Sequence, residues 1–448
     1  MNALHTKLHT QDRGVLRFIT AGSVDDGKST LIGRLLFDSK GIFIDQLAAI
    51  SKAKNKRVAG DSIDFSLLTD GLEAEREQGI TIDVAYRYFS TPVRKFIVAD
   101  TPGHEQYTRN MVTGASNADV AIVLVDITRV QFTQGPKGLS AELLAQTKRH
   151  SAIAGKLRLP VIVFAVNKMD LIGFNADQFQ ATQQAVEKLA RQVGVHETYV
   201  LPISALNGDN VVNLSTNTPW YKGQALLPIL EQLQSRTERA EAEKNTGFRF
   251  PVQYVARHDG HKADDFRGYQ GRVEAGSIKV GETITIQPSG QLAVVKKIIL
   301  LDADLTEAHI GQCITIVLDR DVDVSRGDQL ITTLPNQTVS PTQTLTADLC
   351  WLDNEPLNPA RKYWLKHTTR QVQAKIKTVK QVLNIHTLLE AEHTQAVQMN
   401  DIAQVELLLA QPIIADLYAQ CRATGSFILI DSATNQTAAA GMIIAQHE

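Results

Sequence analysis

Apolar runs typical of buried strands alternate with helical patterns along the first half of the chain, from about Val15 to Gln234. The runs Phe96–Ala99 and Val161–Val166 are short, continuous and followed by polar residues, which predicts buried strands. Between such runs lie helical stretches, of which Ala181–Val193 is one. This alternation indicates a parallel-rich sheet that is covered by helices on both faces.

The pattern changes after Phe248 to short β-type runs punctuated by glycine, among them Glu282–Ile286 and Cys313–Leu318. Short strands at this spacing predict a closed antiparallel barrel. A break from Leu334 to Pro341 starts a third section, which again has β character and ends in Ala439–Ile444. We therefore expect a second barrel in the last part of the chain.

These patterns set the expected domain organisation. Residues 1–240 are expected to form the α/β domain, and residues 241–340 and 341–448 are expected to form the two antiparallel β-barrel domains. The segment 235–245 is charged and has no apolar stripe, so we interpret it as a linker or the end of a helix.

Composition is that of an ordinary globular protein, with 43% hydrophobic and 21% charged residues. The formal net charge is −2, and because a protein that mainly neutralises nucleic-acid phosphates is usually basic, we expect no nucleic-acid partner. The N-terminal stretch lacks the apolar core of a signal sequence, and no apolar run approaches the about 20 residues that cross a bilayer. Cys313, Cys350 and Cys421 lie far apart in apolar contexts, which favours buried thiols in a reducing compartment. We expect a soluble cytoplasmic protein without a membrane partner.

A glycine-rich motif follows the apolar run Val15–Thr20, where residues 22–29 read G-x-x-x-x-G-K-S. The glycines let successive backbone N–H groups point inward, and the N-terminus of the following helix adds positive potential, so the loop suits a polyphosphate. Lys28 can reach the outer phosphates, and the Ser29 hydroxyl can bind Mg²⁺. The residues assigned to this P-loop are Gly22, Ser23, Val24, Asp25, Asp26, Gly27, Lys28, Ser29 and Thr30.

A second motif, Asp100-Thr101-Pro102-Gly103, follows the predicted strand Phe96–Ala99. Because the carboxyl ends of parallel strands meet at one edge of a sheet, the carboxylate of Asp100 is expected to face the same ligand as the P-loop. Such an aspartate can hold Mg²⁺ through a water molecule, and the Gly103 N–H can contact the terminal phosphate.

Two further motifs concern the base. Asn167-Lys168-Met169-Asp170 follows the strand 161–166, and the carboxylate of Asp170 can accept hydrogen bonds from the N1–H and N2–H₂ groups of guanine, which adenine lacks. Ser204-Ala205-Leu206 follows another predicted strand, and its backbone N–H can donate to guanine O6. Each motif alone fits an ordinary polar turn, but the ordered set predicts a P-loop GTP-binding domain.

The order G-x-V-D-x-G-K-S, D-T-P-G-H, N-K-M-D and S-A-L resembles the translation-factor GTPases, as does the G-I-T sequence that contains Thr81. The resemblance implies that Thr81 completes a Mg²⁺ shell with Ser29 and Asp100 and senses the terminal phosphate. It also implies that His104 positions the attacking water. The expected catalytic residues are therefore His104, Lys28 and Thr81, with GTP and Mg²⁺ as cofactors.

Translation factors usually carry histidine at the positions of Ser23 and Asp26. The variant G-S-V-D-D-G-K-S-T-L-I-G-R-L-L instead resembles the GTPase subunits of bacterial heterodimeric sulfate adenylyltransferase (ATP sulfurylase), and Phe250–Val255, Asp265–Tyr269 and Phe427–Asp431 resemble them too. The resemblance implies a GTPase that drives formation of adenosine 5'-phosphosulfate and pyrophosphate from ATP and sulfate, in sulfate assimilation. Its implied partner is a separate small catalytic subunit that performs the adenylyl transfer and carries the ATP and sulfate sites.

Some members of that family carry a fused kinase domain, and because this chain ends at Glu448 we expect no adenosine phosphosulfate kinase activity. The sequence His258-Asp259-Gly260-His261 matches the H-x-G-H of nucleotidyltransferases, but it falls in a predicted barrel loop, so we interpret it as a loop without catalytic function. The alternative function for the whole chain is that of an elongation-factor-like GTPase that carries aminoacyl-tRNA.

Overall fold

The computed structural model describes residues 13–39, 84–103, 108–136, 138–243, 247–257, 266–334, 339–383, 390–392 and 396–447. The chain divides into two compact units, which adjoin in the sequence between Ser235 and Arg236. The predicted site residues Thr81 and His104 and the motif His258–His261 lie outside the described residues. Within the described part of the chain, none of the helices combines the length and the apolar character needed to cross a membrane.

The first unit alternates strands and helices, as the sequence predicts. Its described strands are β1 (Val15–Ala21), β2 (Ala85–Ser90), β3 (Lys95–Asp100), β4 (Val120–Asp126), β5 (Gln131–Gly135), β6 (Gly138–Glu142), β7 (Val161–Asn167) and β8 (Glu197–Pro202). Its described helices are α1 (Lys28–Asp38), α2 (Thr108–Ser116), α3 (Ala145–Lys156), α4 (Ala176–Gln192) and α5 (Leu226–Gln232), with 3₁₀ turns at Ile127–Arg129 and Met169–Ile172.

The strands of this unit form a six-stranded sheet in the order β2-β3-β1-β4-β7-β8, beside which β5 and β6 form a separate hairpin. Strand β2 runs antiparallel to β3, and the other pairings are parallel. In the register of the sheet Thr20 pairs with Asp100, and Asp126 pairs with Asn167. The carboxyl ends of the five parallel strands β3, β1, β4, β7 and β8 therefore lie at one edge, which is where the predicted site residues are found.

Helices cover both faces of the sheet, which confirms the predicted α/β arrangement. Every residue of β4 and β7 is buried, as expected for central parallel strands. On one face Ile122 belongs to the same hydrophobic cluster as Leu31 of α1 and Leu230 of α5. On the other face Val166 packs in a cluster with Phe179 of α4. The central strands thus lie between two apolar layers, which fixes the sheet edge that carries the site residues.

The second unit begins with a helix, α6 (Arg236–Glu243), in the segment that the sequence marked as a linker or helical end. Its strands up to residue 331 are β9 (Arg249–Arg257), β10 (Arg267–Arg272), β11 (Ser277–Lys279), β12 (Thr283–Gln287), β13 (Gln291–Leu300), β14 (Ala303–Leu305), β15 (Glu307–His309), β16 (Cys313–Leu318) and β17 (Gln329–Ile331). The later strands are β18 (Thr342–Trp351), β19 (Lys362–His367), β20 (Arg370–Leu383), β21 (Glu390–Glu392), β22 (Ile402–Ile413), β23 (Ser426–Asp431) and β24 (Thr437–His447).

These strands close into two antiparallel barrels, as predicted. In the first barrel the order β12-β17-β9-β10-β16-β13 is closed by pairing of β12 with β13, and β14 extends β13. In the second barrel the order β19-β23-β24-β18-β22-β20 is closed by pairing of β19 with β20, and β21 extends β20. Closure leaves no free edge on the barrel strands, which protects them from pairing with other chains.

The cysteine prediction is confirmed in part. Cys350 and Cys421 are buried, and burial raises the pKa of the Cys421 thiol. Cys313 is exposed, so the prediction of a buried thiol is wrong at this position. The reason is that burial alternates along β16, and Cys313 occupies an outward position at the start of that strand.

A buried ion pair joins the two barrels. The Arg249 guanidinium in β9 donates from Nε and Nη2 to the two carboxylate oxygens of Asp416, each at 2.9 Å, and both side chains are nearly inaccessible to water. The Thr424 hydroxyl donates to the same carboxylate at 2.6 Å. Beside this pair the Gln329 amide donates to the Ile414 carbonyl at 2.9 Å. The barrels are therefore held by directional contacts that fix their mutual orientation.

We expect Arg249→Ala to lower the free energy of unfolding of the second unit by about 3–5 kcal/mol, because it leaves the Asp416 carboxylate buried without its partner. The matched control is Arg272→Ala, which removes an exposed arginine from the surface pair with Glu274 and should cost less than about 1 kcal/mol. Urea unfolding of the full chain, followed by tryptophan fluorescence, measures both values. Equal losses in the two variants would contradict a structural role for the buried pair.

Candidate nucleotide-binding site

The P-loop leaves β1 through a backbone that only particular residues can adopt. Gly22, Asp25 and Gly27 have positive φ angles of 149°, 65° and 96°. A Cβ atom on Gly27 would lie 2.4 Å from Nδ2 of Asn167, and one on Gly22 would lie 3.0 Å from the Leu124 carbonyl oxygen. Glycine at both ends of the loop therefore satisfies a backbone requirement as well as a steric one.

Hydrogen bonds inside the loop define its shape. The Asp26 carboxylate accepts a hydrogen bond from the Ser23 N–H at 2.5 Å. The Lys28 ammonium, at the start of α1, turns back into the loop and donates to the carbonyls of Gly22 at 3.1 Å and Ser23 at 2.7 Å. Burial lowers the pKa of Lys28, while the carboxylates of Asp100 and Asp26 oppose that shift. The lysine charge thus lies in the interior of the loop, where a phosphate would be held.

The Ser29 hydroxyl lies next to Asp100, as the magnesium prediction requires. It donates to Oδ2 of Asp100 at 3.4 Å, and the Thr20 hydroxyl donates to Oδ1 at 3.1 Å. Asp100 is the last residue of β3 and is 2% exposed, so its carboxylate is fixed by the sheet register. A hydroxyl and a carboxylate are hard oxygen ligands, which is the donor set that Mg²⁺ prefers. These residues therefore fit the metal.

Gly103 lies directly against the P-loop. A Cβ atom on this residue would be 2.5 Å from Nζ of Lys28 and 2.9 Å from the backbone nitrogen of Val24, so no larger residue fits without rearrangement. The Gln146 amide in α3 donates to the Gly103 carbonyl at 3.0 Å, which holds the segment in place. The backbone after β3 is thereby brought to the phosphate side of the site.

Asn167 connects the phosphate and base motifs. Its Nδ2 donates to the Asp26 carbonyl at 2.7 Å, and its Oδ1 accepts from the Ala205 N–H at 2.9 Å. The side chain is almost fully buried, and both of its polar ends have a hydrogen-bond partner. One amide therefore sets the distance between the P-loop and the loop at Ser204–Leu206.

Asp170 and Lys168 lie at the mouth of the site. Lys168 takes a left-handed backbone conformation, with φ at 63°, and its ammonium donates to Oδ2 of Asp126 at 2.7 Å. Asp170 is half-buried, and its carboxylate makes no hydrogen bond to the residues that the structure describes. The acceptor expected for guanine is therefore available for a ligand.

Sequence reasoning missed Asp126 and Arg129. Asp126 ends β4 opposite Asn167, and its carboxylate accepts from the N–H of Thr128 at 3.0 Å and from the hydroxyl of Thr128 at 2.6 Å. Arg129, in the following 3₁₀ turn, donates to the Val24 carbonyl at 3.0 Å. The signal that points to Asp126 is the one used for Asp100, a carboxylate directly after a buried apolar run.

Two buried titratable groups near the loop have shifted pKa values. Burial raises the pKa of Asp26 to about 6, against the opposing effects of the Lys28 ammonium and the Ser23 N–H. Burial also lowers the pKa of His150 in α3 to about 3, and the positive charges of Lys28 and Arg149 act in the same direction. His150 therefore stays neutral at physiological pH, whereas Asp26 titrates close to it.

The structure places the described part of the predicted site at one sheet edge. The residues brought together there are Gly22, Ser23, Val24, Asp25, Asp26, Gly27, Lys28, Ser29, Thr30, Asp100, Gly103, Asn167, Lys168, Asp170, Ser204, Ala205 and Leu206. Thr81 and His104 lie outside the described residues, so their roles remain predictions.

Two known protein families match this chain, one over its first half and one near its end. Residues 13–239 match the family of the elongation factor Tu GTP binding domain, and residues 344–444 match the family of GTP-eEF1A C-terminal domain-like segments. Among solved structures, sup35 complexed with GDP is 20% identical with a TM-score of 0.42, and the match covers 100% of this chain and 98% of that one.

Curated relatives match the chain over nearly its full length. The protein named sulfate adenylyltransferase subunit 1 from Cellvibrio japonicus is 48% identical, over 97% of this chain and 88% of its own length. Proteins of the same name from Francisella tularensis subsp. novicida and Teredinibacter turnerae are 47% and 46% identical, over 97% and 96% of this chain and 87% of each relative. The chain therefore belongs to the sulfate adenylyltransferase subunit 1 family, with a GTP-binding domain of the elongation factor Tu type.

Proposed function

We propose that this chain is the GTP-hydrolysing regulatory subunit of a cytoplasmic sulfate adenylyltransferase. A separate small subunit transfers the adenylyl group of ATP to sulfate, and GTP hydrolysis on this chain drives that step. The main structural support for a GTP site is that the Asn167 amide hydrogen-bonds both to the P-loop and to the loop at Ser204–Leu206. The shared name of the relatives supports the link to sulfate adenylyltransferase.

The phosphate side of the site is the P-loop with Asp100 and Gly103. An entering phosphate replaces the carbonyls of Gly22 and Ser23 as the acceptor of the Lys28 ammonium, which becomes a charge-assisted contact. Ser29 and Asp100 would hold Mg²⁺, Asp100 through a water molecule, and the metal would neutralise charge on the outer phosphates. We assign the contact with the terminal phosphate to the Gly103 N–H, and the close approach of Gly103 to Nζ of Lys28 supports this assignment.

The base side is formed by Asp170, Lys168 and Leu206. Asp170 accepts from the two N–H groups of guanine that adenine lacks. Because the Ala205 N–H already donates to Asn167, we assign the donor to guanine O6 to the next residue, Leu206. A base that leaves buried polar groups unpaired is rejected by a factor that can reach about 10⁴.

Hydrolysis and coupling require the residues that respond to the terminal phosphate. We assign Thr81 to Mg²⁺ and to sensing that phosphate, and His104 to positioning the attacking water. The two nucleotide states must favour different states of the small subunit, because a ligand that binds both states equally shifts nothing. The domains proposed to carry this signal are residues 1–240, 241–340 and 341–448, with the barrels as docking and transmitting parts.

The proposed function is tested by mixing the chain with the small adenylyl-transferring subunit and measuring adenosine 5'-phosphosulfate formed from ATP and sulfate. We expect GTP to increase product formation, and we expect His104→Ala to remove most of that increase while GTP still binds. Product formation that is unchanged by GTP, together with tight binding of aminoacyl-tRNA at physiological salt, would contradict the proposal and favour the elongation-factor-like alternative.

Lys28→Ala should weaken binding of Mg²⁺–GTP about 10- to 100-fold, because a hydrogen bond from a charged donor to phosphate is lost. The control is Lys222→Ala, which removes an exposed lysine whose ammonium donates only to the nearby Pro219 carbonyl among the described residues. Calorimetric titration with a non-hydrolysable GTP analogue gives both affinities. A similar affinity in both variants would contradict the assignment of Lys28 to the phosphates.

Asp170→Asn should lower the affinity for guanine nucleotides and raise that for xanthine nucleotides, because the asparagine amide donates where the aspartate accepts and xanthine presents an oxygen at that position. Asp177→Asn, at an exposed position in the first turn of α4, is the charge-matched control. The ratio of the two affinities is the measured quantity. An unchanged ratio in Asp170→Asn would remove Asp170 from the base site.

A further inference from the structure

The P-loop contains a buried acid in a place where a negative ligand is expected. The Asp26 side chain is completely inaccessible to water, and one of its oxygens accepts from the Ser23 N–H. The other oxygen, Oδ1, has no hydrogen-bond partner among the described residues. A buried carboxylate oxygen without a donor is costly when the group is ionised, and the cost is smaller when the group carries a proton and is neutral.

Arg129 partly offsets this charge from outside the loop. Its guanidinium donates to the Val24 carbonyl at 3.0 Å and lies 3.8 Å from Oδ1 of Asp26, which is beyond hydrogen-bond length. The arginine is about half exposed, with 46% of its side chain accessible, so solvent screens its attraction for the carboxylate. Arg129 therefore steadies the loop while leaving Asp26 without a full counter-charge.

The other charged groups around Asp26 oppose one another. Lys28 from α1 favours the ionised form, while Asp126 at the end of β4 favours the protonated form. Asp126 is itself held by the Lys168 ammonium, which reduces its effect on Asp26. Asn167, which donates to the Asp26 backbone carbonyl from β7, is neutral. The main charge that stabilises ionised Asp26 is thus Lys28.

A nucleotide triphosphate changes this balance in one direction. Its phosphates bring negative charge next to the loop, and they compete with the Asp26 carboxylate for the positive charge of the Lys28 ammonium. Both effects favour the protonated Asp26 carboxyl. Since Asp26 in the loop without nucleotide titrates near pH 6, the change falls within the range of pH that a cell experiences.

We propose that Asp26 and Arg129 are positioning residues of the P-loop that couple binding of the nucleotide phosphates to uptake of one proton by the Asp26 carboxyl. The proposal rests on the proposed GTP site and goes beyond it, because it makes affinity for GTP depend on pH through this chain's own loop. By linkage, a proton that is bound more tightly in the complex than in the free protein makes the ligand bind more tightly as pH falls.

The raised pKa of Asp26 sets both the direction of the pH effect on nucleotide affinity and the pH range in which it occurs. Below about pH 6 the carboxyl is already protonated in the free loop, so affinity levels off there. Above that value each pH unit weakens nucleotide binding by up to about tenfold, until the pKa of the complex is reached. Ionised Asp26 thus weakens nucleotide binding, and protonation at lower pH removes this effect.

The test is calorimetric titration of the full chain with a Mg²⁺-bound non-hydrolysable GTP analogue, between about pH 6 and about pH 8. Titrations in two buffers of different ionisation enthalpy count the protons taken up on binding. Asp26→Asn keeps an oxygen that can accept from the Ser23 N–H but cannot ionise. Asp177→Asn is the control, because it removes the same charge from an exposed position. Protonation of the nucleotide itself is common to all variants and cancels in the comparison.

We expect the wild-type chain and the control to take up more protons near pH 7 than Asp26→Asn, and the affinity of Asp26→Asn to vary less with pH. We also expect Asp26→Asn to bind the analogue about tenfold more tightly than the wild type near pH 7.5. Arg129→Gln, which keeps an amide able to donate to the Val24 carbonyl, should shift the wild-type pH profile upward because it removes positive charge near Asp26.

The outcomes separate the two proposals. No binding of the analogue to the wild-type chain would overturn the proposed GTP site itself. Binding with equal proton uptake and parallel pH profiles in the wild type and Asp26→Asn would overturn only the coupling. If Asp26→Asn does not fold, as judged by its circular dichroism, the Arg129→Gln profile decides, and an unshifted profile overturns the coupling.

Discussion

The geometry of the site depends on the two hydrogen bonds of the Asn167 amide. The side chain leaves the carboxyl end of β7, donates to the Asp26 carbonyl and accepts from the Ala205 N–H. Loops that follow three different strands are therefore tied to one buried group, whose own position is fixed by a fully buried central strand. Because an amide has a fixed length and direction, the phosphate and base parts of the site cannot move apart independently.

Much of this arrangement is predictable from sequence, because parallel strands place their carboxyl ends at one edge. Asp100 and Asn167 each follow an apolar run, and that position is enough to place both at the same edge of the sheet. Asp126 carries the same signal, but the contact of Arg129 with the Val24 carbonyl does not, because it depends on the turn that follows β4. Cys313 shows the same limit, since an apolar context does not tell which face of a strand a residue occupies.

The sequence predicts the fold of each barrel but not the contacts between the two barrels. Glycine-punctuated runs indicate closed sheets, and the closing pairings are present in both. The Arg249–Asp416 pair has no signal in the sequence, because its two residues are far apart in the chain and each would be read as a surface charge. Such a pair contributes little net stability compared with apolar residues of similar size, but it selects one orientation.

The charges at the site edge also explain why the loop tolerates a buried acid. Lys28, Lys168 and Arg129 face Asp26, Asp100 and Asp126 across short distances, so the positive groups are largely balanced before a ligand arrives. A triphosphate added to such a site has negative charge that the side chains alone do not neutralise. The remaining negative charge must be neutralised by the metal, by the N–H groups of the loop or by a proton. The Ser23 N–H donates to Asp26 in this arrangement and is not free to donate to a phosphate. The protonation state of the Asp26 carboxyl therefore also affects how strongly this N–H is held. Electrostatic balance and loop geometry therefore meet in the same residue.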